Sequence, residues 1–218
     1  MAVLNESTNE VTFKIVYCGT PLGGKTTNLQ WVHQQIDRSE RGDMISLATS
    51  ADRTLFFDFL PVNSITAKGF RTKFQLYTVP GQVQYNATRQ LVLRGVDGIV
   101  FVADSQIERM EENVWAMKAL QQNLADNGVL AWRIPIVLQY NKRDLPNSAP
   151  LEHLDYVLND GSFGAAANAQ LTRFEAAASH GYNVFETLNA VAMEIINRFN
   201  PPAGAGRTVP GHGVSLAG

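Results

Sequence analysis

The sequence predicts an α/β fold, with a mostly parallel central sheet, one antiparallel strand and helices on both faces. Three observations carry that reading. Apolar runs rich in β-branched and aromatic residues alternate along the chain with helical patterns, as in strand–helix–strand units. Two of those runs, Gly98–Asp104 (GIVFVAD) and Pro135–Asn141 (PIVLQYN), are apolar almost throughout, as strands covered on both faces are. A third run, Phe70–Val79, alternates in polarity, and a short link containing Gly69 joins it to the preceding strand, which allows an antiparallel pair.

Taken in order, Val11–Cys18 (VTFKIVYC) is the first predicted strand; it stops at Gly19, and Lys25–Ile36 follows as a helix. Arg53–Val62 (RTLFFDFLPV) is the second strand. It is apolar on both sides, with Phe56 and Leu60 opposite Leu55, Phe57 and Phe59. That pattern suits a doubly covered strand, and equally one that meets a partner or repositions. In Phe70–Val79, residues Phe70, Thr72, Phe74, Leu76 and Thr78 share one face, and Arg71, Lys73, Gln75 and Tyr77 the more exposed one.

After Gly98–Asp104 comes a long helix, entered through a capping box of Ser105 and Glu108. Its apolar stripe is Ile107, Met110, Val114, Met117, Leu120 and Leu124. Beyond Pro135–Asn141 the segment Asn147–Thr172 is weakly patterned, with Leu151–Leu158 a candidate helix. The last helix runs from about Val184 to Phe199, with Phe185, Leu188, Ala192, Ile195 and Phe199 on one face. Residues 1–199 therefore form one domain, and the Pro- and Gly-rich Asn200–Gly218 is expected to be a disordered tail.

Composition narrows the function classes. The 218 residues hold 18 Lys+Arg and 20 Asp+Glu, for a net charge of −2, which argues against a nucleic-acid binder held by a basic field. The one cysteine, Cys18, cannot form an internal disulfide and is expected in the core. No apolar run approaches the ~20 residues of a membrane span. The start MAVLNESTNE has no secretory pattern, and Ala2 with no cysteine near the C-terminus gives no lipid-anchor motif. The expectation is a cytoplasmic chain, with any membrane targeting supplied by protein partners. His33, His153, His180 and His212 show no metal spacing and read as surface residues, and Trp31, Trp115 and Trp132 as packing groups.

Two motifs carry chemistry. Gly19-Thr20-Pro21-Leu22-Gly23-Gly24-Lys25-Thr26 satisfies G-x-x-x-x-G-K-[ST] between a strand and a helix. Such a loop wraps phosphates with backbone N–H groups at a helix N-terminus. Lys25 would reach the β- and γ-phosphates, the Thr26 hydroxyl would ligate Mg²⁺, and Thr27 would add an N–H near the α-phosphate. Asn141-Lys142-Arg143-Asp144 stands at the carboxyl end of a strand, where such sheets bind ligands. One carboxylate, Asp144, can accept both guanine donors, N1–H and the N2 amine, and adenine offers no matching pair. The Lys142 stem can cover the base plane, and Asn141 can tie this loop to the phosphate loop. The pair disfavours an ATP-dependent phosphotransferase.

With these motifs in place the sequence resembles the Ras-like small GTPases of P-loop fold, and more narrowly the bacterial MglA family of gliding-motility and cell-polarity GTPases. The resemblance runs from about Val11 to Phe199. It is carried by GTPLGGKTTNL (Gly19–Leu29), DRTLFFDFLP (Asp52–Pro61), LYTVPGQV (Leu76–Val83), GVDGIVFVADSQIERME (Gly95–Glu111) and YNKRDLPN (Tyr140–Asn147).

The resemblance implies GTP and GDP as ligands, with Mg²⁺. It implies Thr54 as the switch threonine on Mg²⁺, Gly81 as the glycine whose N–H meets the γ-phosphate, Gln82 as the residue orienting water, and Arg53 as an arginine finger in cis. It implies a roadblock-domain regulator of the MglB type that stimulates hydrolysis, and effectors of polarity or motility. Most Ras-like chains have D-x-x-G where this one has Thr78-Val-Pro-Gly81, a substitution the MglA family shares; Asp58 is a candidate substitute carboxylate. Ala177 and Ala178, within Glu175-Ala-Ala-Ala178, take the place of the guanine-backing S-A-K. The expected function is a GTP-hydrolysing switch with slow intrinsic turnover. The alternative is a nucleotide-binding interaction module with negligible turnover.

Overall fold

The computed structural model describes residues 2–49, 52–58, 64–67, 70–79, 86–161 and 169–200. Along them run β1 (Val3–Asn5), β2 (Glu10–Gly19), α1 (Lys25–Gln35), β3 (Met44–Thr49), β4 (Asp52–Asp58), β5 (Ser64–Ala67), β6 (Phe70–Thr78) and α2 (Asn86–Leu93). Then follow β7 (Gly98–Asp104), α3 (Met110–Asp126), β8 (Ile136–Asn141), α4 (Leu151–Leu158), β9 (Arg173–Glu175) and α5 (Val184–Phe199).

Seven strands form one sheet in the order β5-β6-β2-β7-β8-β9, with β1 added to β2. The pairs β2–β6, β2–β7, β7–β8 and β8–β9 are parallel. Because β7 pairs with β2 only from Ile15 to Gly19, the early part of that edge is free, and β1 fills it antiparallel at Glu10–Thr12. The central strands β7 and β8 are buried at every residue, as their unbroken apolar runs require. Strand β6 alternates in burial, with Thr72, Phe74, Leu76 and Thr78 on the buried face.

The main sheet has two antiparallel strands, β1 and β5, where one was expected, and the one beside β6 is not the 53–62 run. Strand β5 takes that place beside β6, with Ala67 opposite Phe70. Strand β4 ends at Asp58 and pairs with β3 in a separate two-stranded sheet, and residues 59–63 lie outside those described. Two residues separate the strands of each hairpin, the shortest closure for antiparallel neighbours, so each strand pairs with the segment nearest in sequence.

The entry to α3 also differs from the expected capping box. A short 3₁₀ turn at Ile107–Arg109 precedes the helix, and the buried Ser105 hydroxyl has no hydrogen-bond partner among the described residues. Asp104 supplies the cap-like acceptor instead, its Oδ1 receiving the Gln106 N–H at 3.2 Å, while Glu108 receives Asn147 Nδ2 at 2.8 Å.

Alternate side chains of β2, β7 and β8 point to opposite faces and build two cores. On one face Val16, Ile99, Phe101 and Leu138 meet α2, α3 and α4 through Leu93, Leu120, Leu124 and Leu154. On the other, Ile15, Tyr17, Val100 and Val137 meet α1 and α5 through Leu29, Val32, Val191 and Ile195. Helix α5 lies so close to β7 that a Cβ on Gly98 would fall 2.7 Å from Ile195 Cδ1. This layering brings the carboxyl ends of β2, β7 and β8 to one rim of the sheet, where their loops converge.

Candidate nucleotide-binding site

The phosphate loop leaves β2 through Gly19, whose φ of 125° and closeness to Val102 exclude a side chain: a Cβ would lie 2.0 Å from the Val102 carbonyl oxygen. Gly24 has φ 100°, and a Cβ there would lie 2.2 Å from Asn141 Nδ2. Between them Leu22 is exposed in a left-handed conformation at φ 58°, and the Gly23 N–H donates to the Thr20 carbonyl at 3.2 Å. The Thr20 hydroxyl donates to Asn113 Oδ1 at 3.0 Å, and Arg109 Nη2 donates to the Pro21 carbonyl at 2.9 Å. Both contacts hold the outer half of the loop against the start of α3.

Lys25 is buried, and its ammonium donates to the carbonyls of Gly19 at 3.1 Å and Thr20 at 2.5 Å. Burial pushes its pKa down to about 8, with Cys18 opposing the shift and Arg89 adding to it. A buried cation at the N-terminus of α1, whose first turn has no acidic residue, is the complement of an anion. Thr26 and Thr27 follow, half-buried, in that first turn.

Asn141 joins the loops. Its Nδ2 donates to the Gly23 carbonyl at 2.8 Å, and its Oδ1 accepts the Ala178 N–H at 2.9 Å. One side chain thus ties the phosphate loop to the Ala177–Ala178 segment. Ala177 and Ala178 are both buried, and Gly181 closes the segment at φ 75° directly against the Trp31 ring. Lys142 takes φ 67° and sends its ammonium to Asp104 Oδ2 at 2.6 Å. Asp144 Oδ2 lies 3.6 Å from His180 Nδ1.

The remaining expected residues are not brought into this cluster by described side chains. Arg53 and Thr54 lie in β4 where the register shifts between Leu47–Leu55 and Thr49–Asp52, so these two residues stand opposite the single Ala48 of β3. Asp58 stands opposite Met44 at the end of that strand. Thr78 is buried at the end of β6, in register with Tyr17. Gly81 and Gln82 lie outside the described residues, as do His212 and the whole 201–218 segment. Cys18 is a core residue, its thiol pushed up to about 12 by burial. Among the described residues no group of three His, Cys, Asp or Glu could hold a metal.

Sequence reasoning missed Asp104, Arg109 and Asn113, which brace the site from β7 and α3. The available signal was a lone carboxylate closing an otherwise apolar, fully buried strand. It also left His180 on the surface without a role, and His180 faces Asp144.

The chain matches the ADP-ribosylation factor family over residues 1–195. It is 49% identical over 196 residues to the mutual gliding-motility protein MglA of Myxococcus xanthus (strain DK1622), covering 90% of this chain and 96% of that protein. The chain is a small GTPase of the MglA family. This MglA-family chain is also 27% identical over 179 residues to ADP-ribosylation factor-like protein 4A of Homo sapiens, covering 76% of this chain and 75% of that protein. Its fold is shared with the Arl6 small GTPase of Trypanosoma brucei, solved with a bound nucleotide analogue, at TM-score 0.59 and 16% identity over 86% of this chain and 99% of that one. As an MglA-family member it is a GTP-binding switch that hydrolyses GTP to GDP, and the module without turnover is not favoured. No helix among the described residues is long and apolar enough to cross a membrane.

Proposed function

We propose that GTP binds across the Gly19–Thr27 loop and the Asn141–Asp144 loop, and that hydrolysis there toggles contacts with partner proteins. The observation that carries this reading is the Asn141 bridge, which holds the phosphate loop and the Ala178 backbone at hydrogen-bond distance of one side chain. Lys25 meets the β- and γ-phosphates with its ammonium, exchanging carbonyl partners for phosphate oxygens. Backbone N–H groups of Gly24, Lys25, Thr26 and Thr27 complete the cradle. Asp144 accepts the two guanine donors, and the Ala177–Ala178 backbone lies against the base edge. Thr26 and Thr54 would hold Mg²⁺, which would supply charge neutralisation on the phosphate oxygens. Thr78 lines the metal side without a charge, and Asp58 supplies a carboxylate in its stead. Gly81 reads the γ-phosphate, Gln82 aligns water in-line with it, and Arg53 sets a cation beside the developing charge.

Residues 1–199 are the GTPase domain in this reading, and 200–218 a tail. The 49% identity to MglA supports a roadblock-domain regulator of the MglB type that accelerates hydrolysis, and effectors in cell polarity or gliding motility. The chain works in the cytoplasm and reaches a pole or membrane by binding those partners.

Single-turnover hydrolysis tests the assignment. Arg53→Ala and Gln82→Ala are each expected to slow hydrolysis by about 10²-fold while GTP affinity stays within about threefold. Equal losses in hydrolysis and binding would sink the assignment. Asp58→Asn is expected to shorten Mg²⁺-dependent GDP retention, and unchanged retention would remove Asp58 from the metal side.

A further inference from the structure

The carboxylate at the end of β7 has a role that the nucleotide contacts do not explain. Asp104 is fully buried, and its side chain carries a negative charge into the rim of the sheet. Its Oδ2 accepts the Lys142 ammonium at 2.6 Å, with Arg109 Nε 3.8 Å away, while Gln106 Nε2 donates to both oxygens at 3.0 and 3.2 Å. Burying a carboxylate is costly unless it is paired and hydrogen-bonded, and this one is both.

The two cations lead to different loops. Lys142 belongs to the Asn141–Asp144 loop. Arg109 reaches the phosphate loop through the Pro21 carbonyl at 2.9 Å, and its other arm meets Glu112. The Asp104 backbone makes a second link in the same direction. Its N–H donates to Asn113 Oδ1 at 3.0 Å and its carbonyl accepts Asn113 Nδ2 at 2.8 Å, and that same Oδ1 accepts the Thr20 hydroxyl. Register places Asp104 directly beside Asn141 in the β7–β8 pair. One buried residue therefore stands between the base loop and two residues of the phosphate loop.

We infer that Asp104 is a positioning residue that couples the base-reading loop to the phosphate loop, through Lys142 on one side and Arg109 with Asn113 on the other. The inference rests on the nucleotide-site reading above. The coupling is electrostatic where it passes through the side chain: two partly exposed cations share one carboxylate that has no access to solvent. Neither cation can be removed without changing the balance at the other, so their effects on bound nucleotide are interdependent. Cations acting separately on the two loops would give independent effects.

The experiment follows release of N-methylanthraniloyl-GDP from the full chain. Lys142→Met and Arg109→Met remove each charge and keep the stem. Each is expected to speed release, and the double variant is expected to depart from the product of the single effects by about threefold or more. In an Asp104→Asn background, which preserves shape and removes the charge, each single effect is expected to shrink to less than about twofold. Effects that multiply independently in both backgrounds would overturn the inference. A purely structural Asp104 would lower the melting temperature and leave the cycle multiplicative. If Asp104→Asn does not fold, the Lys142–Arg109 cycle in the native background decides alone. A wild-type chain that holds labelled ADP as well as labelled GDP would refute the nucleotide reading. Selective GDP retention with independent cation effects would refute only the role of Asp104.

Discussion

Lys25 is the residue whose surroundings say most about the ligand. Its folded-state pKa of about 8 lies below the ordinary 10.5, because burial disfavours the ammonium. Between these values the unfolded chain binds more protons than the folded one. The cost of the buried charge is therefore fully present below pH 8, and stability of the unliganded chain rises as pH climbs from about 8 toward 10.5. A phosphate beside Lys25 favours the ammonium and lifts its pKa, so GDP binding takes up a proton in that window and weakens as pH rises through it. Calorimetric titration at about pH 9, in two buffers of different ionisation enthalpy, is expected to show fractional proton uptake that disappears in Lys25→Met. No uptake in the wild type would separate Lys25 from the phosphates.

At the scale of elements, the site depends on loops braced from behind. The 176–183 segment is held by Asn141 in front and by Trp31 of α1 pressing on Gly181 behind. An alanine Cβ at position 181 would fall 2.0 Å from the Trp31 ring, at a φ of 75° that already favours glycine. Gly181→Ala is expected to cost about 1–3 kcal/mol and, by moving Ala177–Ala178, to speed GDP release by roughly fivefold or more. Ile195→Ala in α5 is the contrasting case: it opens a core cavity away from the rim, costs about 2–4 kcal/mol and leaves release near the wild-type rate. Denaturant unfolding beside release kinetics distinguishes the two. Release that simply tracked lost stability in both variants would contradict a loop-specific role for Gly181.

For the whole molecule, the loops converge only when the sheet is assembled, so nucleotide and fold are linked. At a hundredfold excess over its Kd, GDP is expected to stabilise the chain by about 2.7 kcal/mol, and ADP at the same concentration by far less. For a domain of this size that is a melting shift of about 2–4 °C per kcal/mol. Equal shifts with GDP and ADP would argue against guanine selection by Asp144.

Much of this was legible before any coordinates. Strands β7 and β8, helices α1, α4 and α5, the phosphate loop and the 141–144 motif all stand where periodicity and spacing put them. Each is specified by residues close in sequence: an unbroken apolar run, a stripe at helical spacing, glycines before a lysine. The tertiary structure alone decided which strand pairs with β6: β5, two residues before it, takes the sheet edge, and β4 pairs with β3 in a separate sheet. It alone placed His180 over Asp144 and made Asp104 the meeting point of Lys142, Arg109 and, through Asn113, Thr20. Asp144 and His180, Asp104 and Lys142, and Thr20 and Asn113 are each separated by tens of positions in sequence. Local patterns in one sequence carry no term for such distances, and the parallel register of β2, β7 and β8 creates them.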